Sequence, residues 1–404
     1  MDHIIEVQKK TPVMGEYDVA VIGGGIAGVS AALAAARNGA RTVLLEREFA
    51  LGGLATLGLV AIYLPICDGL GTQVSFGIAE ELLRLSIKHG SEFYCNSSNP
   101  PCPDAWLDNT SSIEDKKNHR YETLFNPSLY AIECEQLLLE NGVKILYGCQ
   151  VCGVSMSNDK IDAVILEEKG GRKAIRAKSF VDCTGDADIC ALSGAPTRRH
   201  AIGNRLAAWY YCHNGEQHQL TMNGYADSKV VKSIEIKGHN RRYSGLDAED
   251  ISDYMIASHA SAKEHFLRLG EIKNDYSMGS LPTIPQYRMT RCIEGEYKMH
   301  DTEIRKHFGD SVGLFSDWRK AGPVYELPFK SLYSARVKNL AVAGRCISSD
   351  DAMWDITRVI PVCAVSGEAA GTAAAMSDDF TALDISVLQN TLKTNGVVLH
   401  TEDL

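Results

Sequence analysis

Tyr17-Asp18-Val19-Ala20-Val21-Ile22-Gly23-Gly24-Gly25-Ile26-Ala27-Gly28 is the stretch that decides the fold. It reads as a short apolar strand, a glycine corner and the first turn of a helix. Gly23 permits the sharp turn. Gly25 lets backbone approach a phosphate that a Cβ would strike, and Gly28 lets the helix lie close on its strand. Such a helix aims free N–H groups and about half a positive charge at an anion, so a dinucleotide pyrophosphate is the expected occupant.

The flanks strengthen this reading. Val29 to Asn38 is alanine-rich and helix-favouring, and Gly39 is a natural stop. Arg41 to Leu45 reads as a second strand, with Glu46 at its end. That is about twenty residues past the corner, where a carboxylate accepts hydrogen bonds from ribose hydroxyls.

A chain of 404 residues has room for two domains or one large elaborated one. Hydrophobic residues make up 45%, as in globular proteins, and the net charge of −10 argues against nucleic acid as the main partner. No apolar run reaches the length of a membrane span, and the polar start MDHIIEVQKKTPVMGEYD is unlike a secretory signal. A cytoplasmic location is therefore expected. The twelve cysteines are scattered, as small buried residues in a reducing compartment would be. Cys149 and Cys152 lie in the strand-like KILYGCQVCGV, where alternation sends them to opposite faces. No second pair at metal-ligand spacing accompanies them, so no metal site is expected.

Further on, Leu51-Gly52-Gly53-Leu54-Ala55-Thr56 would let backbone pass close to a flat ligand. Ile78 to His89 has helical periodicity, and residues 91–123 read as a long polar excursion. Pro127 to Asn141 reads as a helix, Val143 to Val154 as one strand, and 160–168 with 172–181 as a hairpin. Phe180 to Asp188 repeats the strand-to-glycine corner through Thr184-Gly185-Asp186. Residues 197–334 are more polar, richer in His, Arg and Tyr, and include a helix over Tyr254 to Leu269. The apolar pattern returns at Lys338 to Arg345, and Pro361 opens a last small-residue helix.

The order GGGIAG, Glu46, LGGLAT, VDCTGDAD, LAVAGRCIS and TRVIPVCAVSGEAAG resembles the FAD-dependent oxidoreductase family of two-dinucleotide-binding-domain flavoproteins. Within it the likeness is to the subgroup labelled "FAD dependent oxidoreductase". The resemblance covers residues 17–89, 121–205 and 281–376. It implies an α/β fold, with a Rossmann-like FAD-binding domain on a parallel sheet (17–196 plus 335–404) and an inserted, mixed α+β substrate domain (197–334).

Residue by residue, the resemblance puts Gly23, Gly25, Ile26, Ala27 and Gly28 at the pyrophosphate. Glu46 and Arg47 fall at the adenosine ribose, and Gly52, Gly53, Ala55 and Thr56 under the flavin end. Val151 falls at the adenine, and Thr184, Gly185 and Asp186 beside the adenosine. Gly344 and Arg345 fall at the second phosphate and ribityl contact, and Arg358, Val359 and Ile360 at the isoalloxazine. The last helix would point its N-terminus at the flavin N1 and O2 edge, favouring negative charge there by about 1–2 kcal/mol. No histidine stands where the family links flavin covalently, so non-covalent FAD is implied. The chain departs from the family's Pro-Tyr-Arg step: it has Tyr325-Glu326-Leu327-Pro328-Phe329-Lys330, with a point charge in place of a planar fork.

Flavin chemistry needs substrate-orienting groups from the protein. The candidates are Arg288 and Arg291, Arg358, Tyr325 and Lys330, together suited to an anionic small molecule. Arg288 and Arg291 would share a face in a helix and diverge in a strand. Any of eight histidines between His200 and His307 is an alternative acid or base. Cys67 lacks the second cysteine that a thiol–disulfide mechanism requires. The expected partners are a small-molecule substrate and an electron acceptor or donor, with a homo-oligomer allowed and neither nucleic acid nor membrane. The competing readings are a non-redox or NAD-consuming nucleotide-binding protein and the flavin subunit of an electron-transfer complex.

Overall fold

The computed structural model describes residues 10–89, 103–107, 110–213, 215, 218–224, 236, 238–270 and 276–404. Strand β1 (Val13–Ile22) feeds helix α1 (Ile26–Arg37), which returns to strand β2 (Thr42–Leu45). Val19, Ala20 and Val21 are fully buried in succession, as in a strand covered on both faces. β3 (Lys144–Leu146), β4 (Gln150–Ser157), β5 (Lys160–Glu168), β6 (Gly171–Asp182) and β7 (Leu340–Val342) complete the main sheet. Its order is β3-β2-β1-β6-β5-β4, and β7 also pairs with β6.

The sheet is mostly parallel, with an antiparallel β4–β5–β6 meander on one side. β6 serves both parts. Its first half pairs with β5 and its last three residues pair with β7, leaving Asp182 and the following turn at the carboxyl edge.

The strand expected over Val143 to Val154 is two strands. Gly148 has φ +65° and breaks it, while Glu46 N–H donates to Leu146 O and Cys149 N–H to Glu46 O. β3 thus stays parallel to β2 and β4 swings away to join the meander. Cys149 lies buried in the break and Cys152 is exposed on β4, so they make no pair.

α1 is buried from Ile26 to Ala35 because it lies between the sheet and helix α2 (Ile360–Met376). The two helices meet through backbone. A Cβ on Gly371 would sit 2.1 Å from Ala31 O, so a side chain there would force them apart. Pro361 stands in the first turn of α2, as its missing N–H favours.

Inside the span 197–334, the strands Ser311–Ser316 and Val324–Pro328 form a hairpin whose Val312, Phe315, Tyr325 and Leu327 join the main core. The strand Thr197–Arg199 pairs with Arg291–Ile293. Between them lie a three-stranded antiparallel sheet (His218–Thr221, Tyr210–His213, Ser277–Ser280) and the helix Ala248–Gly270. These carry two smaller clusters, around Tyr243, Tyr254 and Tyr287 and around Tyr210, Cys212 and Ala262.

The expected excursion 91–123 falls partly outside the described residues; in its described part Trp106 stacks on Tyr121 at 5.3 Å. Among the described residues no single helix is long and apolar enough to cross a membrane. The bent pair Asp351–Thr357 and α2, turned by 89°, is buried in the core.

Candidate functional site

A cavity of about 630 Å³ opens where the β1–α1 corner, the 52–55 loop, the start of β4, the 184–186 turn and the start of α2 converge. Leu246, Ile251, Met255, Ile284 and Tyr287 wall its other side.

At the corner, Gly23 has φ +101°, a conformation that side-chain-bearing residues avoid. A Cβ on Gly28 would fall 1.8 Å from Gly23 O, so this glycine is the contact between helix and corner. Gly25 differs: it lines the cavity, and a Cβ there would meet no protein atom within 4 Å. The space it leaves is bordered by the first turn of α1, whose amides lack intrahelical acceptors. That is a cradle for an anion, and a dinucleotide fits it.

Glu46 also lines the cavity. Its Oε2 accepts from Gly24 N–H at 2.5 Å and its Oε1 from Glu48 N–H at 2.8 Å. It fixes the corner, and each oxygen keeps a second lone pair for a ribose diol.

The second corner is organised by Asp182, a buried carboxylate absent from the sequence-based candidates. Its Oδ1 accepts from Thr184 N–H and Oγ1–H at 3.1 and 2.7 Å, and its Oδ2 from Ile189 and Cys190 N–H at 2.9 and 3.1 Å. Burial pushes its carboxyl up, against the pull of those donors. Asp186 pairs with Arg345 at 2.8 Å. Asp188 pairs with Arg291 at 2.7 Å, while Arg291 Nε donates to Asp186 O. Burial, and then the neighbouring Asp186 and Asp182, push Asp188 up to about 6.

Where α2 begins, Arg358 is held by Asp355 at 2.6 and 3.0 Å. Asp355 also binds Arg319 at 3.1 Å, and Arg319 grips Asp317 through two bonds of 2.8 and 2.9 Å. This buried chain of alternating charges fixes the Arg358 guanidinium. Ile360 and Cys363 bring the N-terminal turn of α2 to the cavity wall.

Arg288 lies beside this group. Its Nη1 donates to Gln286 O at 3.0 Å and its guanidinium covers the Trp209 ring at 5.2 Å. No carboxylate pairs with it among the described residues. Burial and the like charges of Arg358 and Arg345 hold it down to about 10.

Of the sequence-based candidates, Gly23, Gly25, Ile26, Ala27, Glu46, Arg47, Gly52, Gly53, Ala55, Val151, Thr184, Gly185, Asp186, Arg291, Gly344, Arg345, Arg358 and Ile360 line this one cavity. Gly28, Thr56 and Val359 stand behind it: Thr56 Oγ1 donates to Leu51 O at 2.5 Å, and Val359 caps α2. Arg288 is not among the residues that line the cavity, so it and Arg291 do not form a joint clamp. Arg291 opens a strand and turns to the two aspartates, and Arg288 turns to Trp209.

Tyr325 and Lys330 are outside the cavity. Tyr325 stacks on Phe315 and donates to Asp301 O at 2.9 Å, and Lys330 is exposed on the turn after that strand. None of the eight histidines lines the cavity. Cys67 is buried elsewhere, its Sγ accepting from Tyr121 N–H, with burial pushing the thiol up.

Sequence reasoning missed the wall from the middle of the chain. Tyr287 is the clearest case, with a buried hydroxyl that has no hydrogen-bond partner among the described residues. Its signal was only its place beside Arg288.

A sequence model of the family described as FAD dependent oxidoreductase matches residues 18–230 and 212–392. A thioredoxin reductase from Ureaplasma parvum serovar 3 (strain ATCC 700970) is 34% identical over 71 residues, 18% of this chain and 23% of that relative's length. Among solved structures, p-nitrophenol 4-monooxygenase PnpA from Pseudomonas putida DLL-E4 is similar at 14% identity and a TM-score of 0.49, over 95% of this chain and 89% of that one. OxyS anhydrotetracycline hydroxylase from Streptomyces rimosus is similar at 14% identity and a TM-score of 0.41, over 93% of this chain and 65% of that one.

Proposed function

From the premise that this chain belongs to the FAD dependent oxidoreductase family and is an FAD-dependent enzyme, we propose that it transfers a hydride between a small organic anion and FAD held non-covalently in the cavity described above. The observation that supports the substrate class is that Arg345 and Arg358 line the cavity where α2 begins, with Arg288, which has no carboxylate partner among the described residues, behind them.

FAD, when bound, supplies the redox step by taking or giving a hydride. The chain's own residues do the rest. The amides of the α1 turn and the Gly25 cradle hold the pyrophosphate, and Glu46 takes the ribose. Asp182 and the Arg345–Asp186 pair keep the second corner rigid. Leu246, Ile251, Met255 and Ile284 give the cavity an apolar wall, against which charges inside act more strongly than in bulk water. Arg358, locked by Asp355 and Arg319, and Arg288 behind it orient an anion at that end. The Tyr287 hydroxyl is a free donor or acceptor for the bound molecules.

Anaerobic mixing with a panel of small organic acids tests this reading. Bleaching of the bound flavin by at least one carboxylate, and loss of that bleaching in Arg288→Met with flavin content unchanged, is the expected result. Bleaching by neutral alcohols or amines alone, or full activity in Arg288→Met, would remove the anion from the proposal.

A further inference from the structure

His307, Glu326 and His400 meet on the molecule's surface, and none of them lines the FAD cavity. Their ligand-capable atoms all lie within 4.8 Å of one another. His400 Nδ1 is 3.1 Å from Glu326 Oε2, and His307 Nδ1 is 3.8 Å from Glu326 Oε1. The two imidazoles stack at 4.6 Å with 27° between their planes.

We infer that these three residues form a divalent transition-metal site of the zinc type, which fastens the C-terminal segment to the strand Val324–Pro328. The donor set is two imidazole nitrogens and one carboxylate oxygen, a combination suited to Zn²⁺. Metal–ligand bonds of about 2.1 Å at tetrahedral angles place donor atoms about 3.4 Å apart. The two imidazole–carboxylate distances, one to each oxygen of Glu326, bracket that value. All three ligand-capable atoms lie within 4.8 Å, so closing the site requires the exposed His307 side chain (59%) to turn inward from its stack on His400.

The carboxylate is prepared for the role. Glu326 is 1% exposed, so its charge needs partners. Phe308 N–H donates to Oε2 at 2.8 Å and Thr401 N–H to Oε1 at 3.2 Å. Backbone donors of this kind orient a ligating carboxylate and leave a lone pair on each oxygen for a metal. Three protein ligands with an exposed histidine among them leave the fourth position to water. The spacing of 19 and 74 residues between the ligands is why the sequence showed no metal motif. The site joins the 305–308 loop, the strand Val324–Pro328 and the turn Thr401–Asp403, so a bound ion would act as a staple for the end of the chain.

The test uses tag-free, full-length holoprotein stripped with a chelator and titrated with Zn²⁺ alone. The wild type should bind one Zn²⁺ per chain in the micromolar range or tighter, and its melting temperature should rise with zinc. His307→Ala removes an exposed side chain and should keep the flavin spectrum, weaken zinc binding at least tenfold and abolish the thermal shift. His400→Ala should do the same. Less than one-tenth Zn²⁺ per wild-type chain at saturation, or equal affinity in wild type and His307→Ala, would overturn the site.

Discussion

The two ends of the cavity are built from different materials. At the α1 corner, backbone amides form the anion cradle, and Glu46, which lines it, is already bound to Gly24 and Glu48 N–H. At the α2 end, the groups are long cationic side chains from distant segments, each steadied by its own partner: Arg345 by Asp186, Arg358 by Asp355, Arg288 by the Trp209 ring. In the proposed reading the corner takes the pyrophosphate and ribose of FAD. At the arginine end Arg288, held by Gln286 O and the Trp209 ring, can be changed without breaking the Arg345–Asp186 or Arg358–Asp355 pair. The proposal therefore predicts that flavin binding and substrate bleaching separate by mutation.

The largest effects should break the corner, in two distinguishable ways. Gly28→Ala drives a Cβ into Gly23 O and should cost about 3 kcal/mol of stability, read by denaturant unfolding. Gly25→Val meets open space in the cradle, so the fold should survive while FAD affinity falls about 100-fold, or ~2.7 kcal/mol. Equal stability losses in the two variants would mean that Gly25 packs rather than cradles.

The next effect concerns the buried face of α2. Glu368 accepts Ile78 N–H at 2.9 Å, and burial, chiefly, pushes its carboxyl up to about 8, with Glu81 adding to the rise and Arg37 opposing it. The folded chain holds this proton more tightly than the unfolded one. Glu368's contribution to stability is therefore greatest below about 4.5, declines as pH rises and levels off above about 8. Glu368→Gln removes the ionisation. Its stability relative to wild type should climb between pH 5 and pH 9, by on the order of a few kcal/mol, read as a rising difference in melting temperature. A gap independent of pH would assign Glu368 another role.

At the arginine end, Arg288→Met should keep the flavin and slow substrate bleaching about 30-fold, near 2 kcal/mol for a charge-assisted contact. Tyr287→Phe should be milder, about fivefold in turnover or KM, with a thermal midpoint equal to or above wild type, because it removes an unpartnered buried hydroxyl. If Arg288→Met loses flavin instead, the two ends are not separable.

The same division explains what could be read in advance. Gly23, Gly25 and Glu46, Thr184-Gly185-Asp186 and Gly344 were legible because a glycine or an acid at a strand end encodes backbone geometry locally. The last helix was legible from Pro361 and its small residues. The split of Val143 to Val154 was not, although Gly148 marked it, because the break depends on Glu46 reaching across from β2. The partners of Arg291 were hidden for the same reason: Asp188 is 103 residues away, and only the pairing of Arg291–Ile293 with Thr197–Arg199 brings them together. Tyr325 and Lys330 misled because a family motif fixes position along the chain, whereas Tyr325 settled into the core and Lys330 on the exposed turn after its strand, neither lining the cavity.

The most direct test of the central claim is the visible spectrum of purified Gly25→Val beside that of the wild type, each with its far-UV circular dichroism. The cradle predicts a yellow wild type with one FAD per chain and a colourless, equally folded variant that stays colourless in excess FAD. A variant that retains a full complement of flavin would place the cofactor elsewhere and contradict the account.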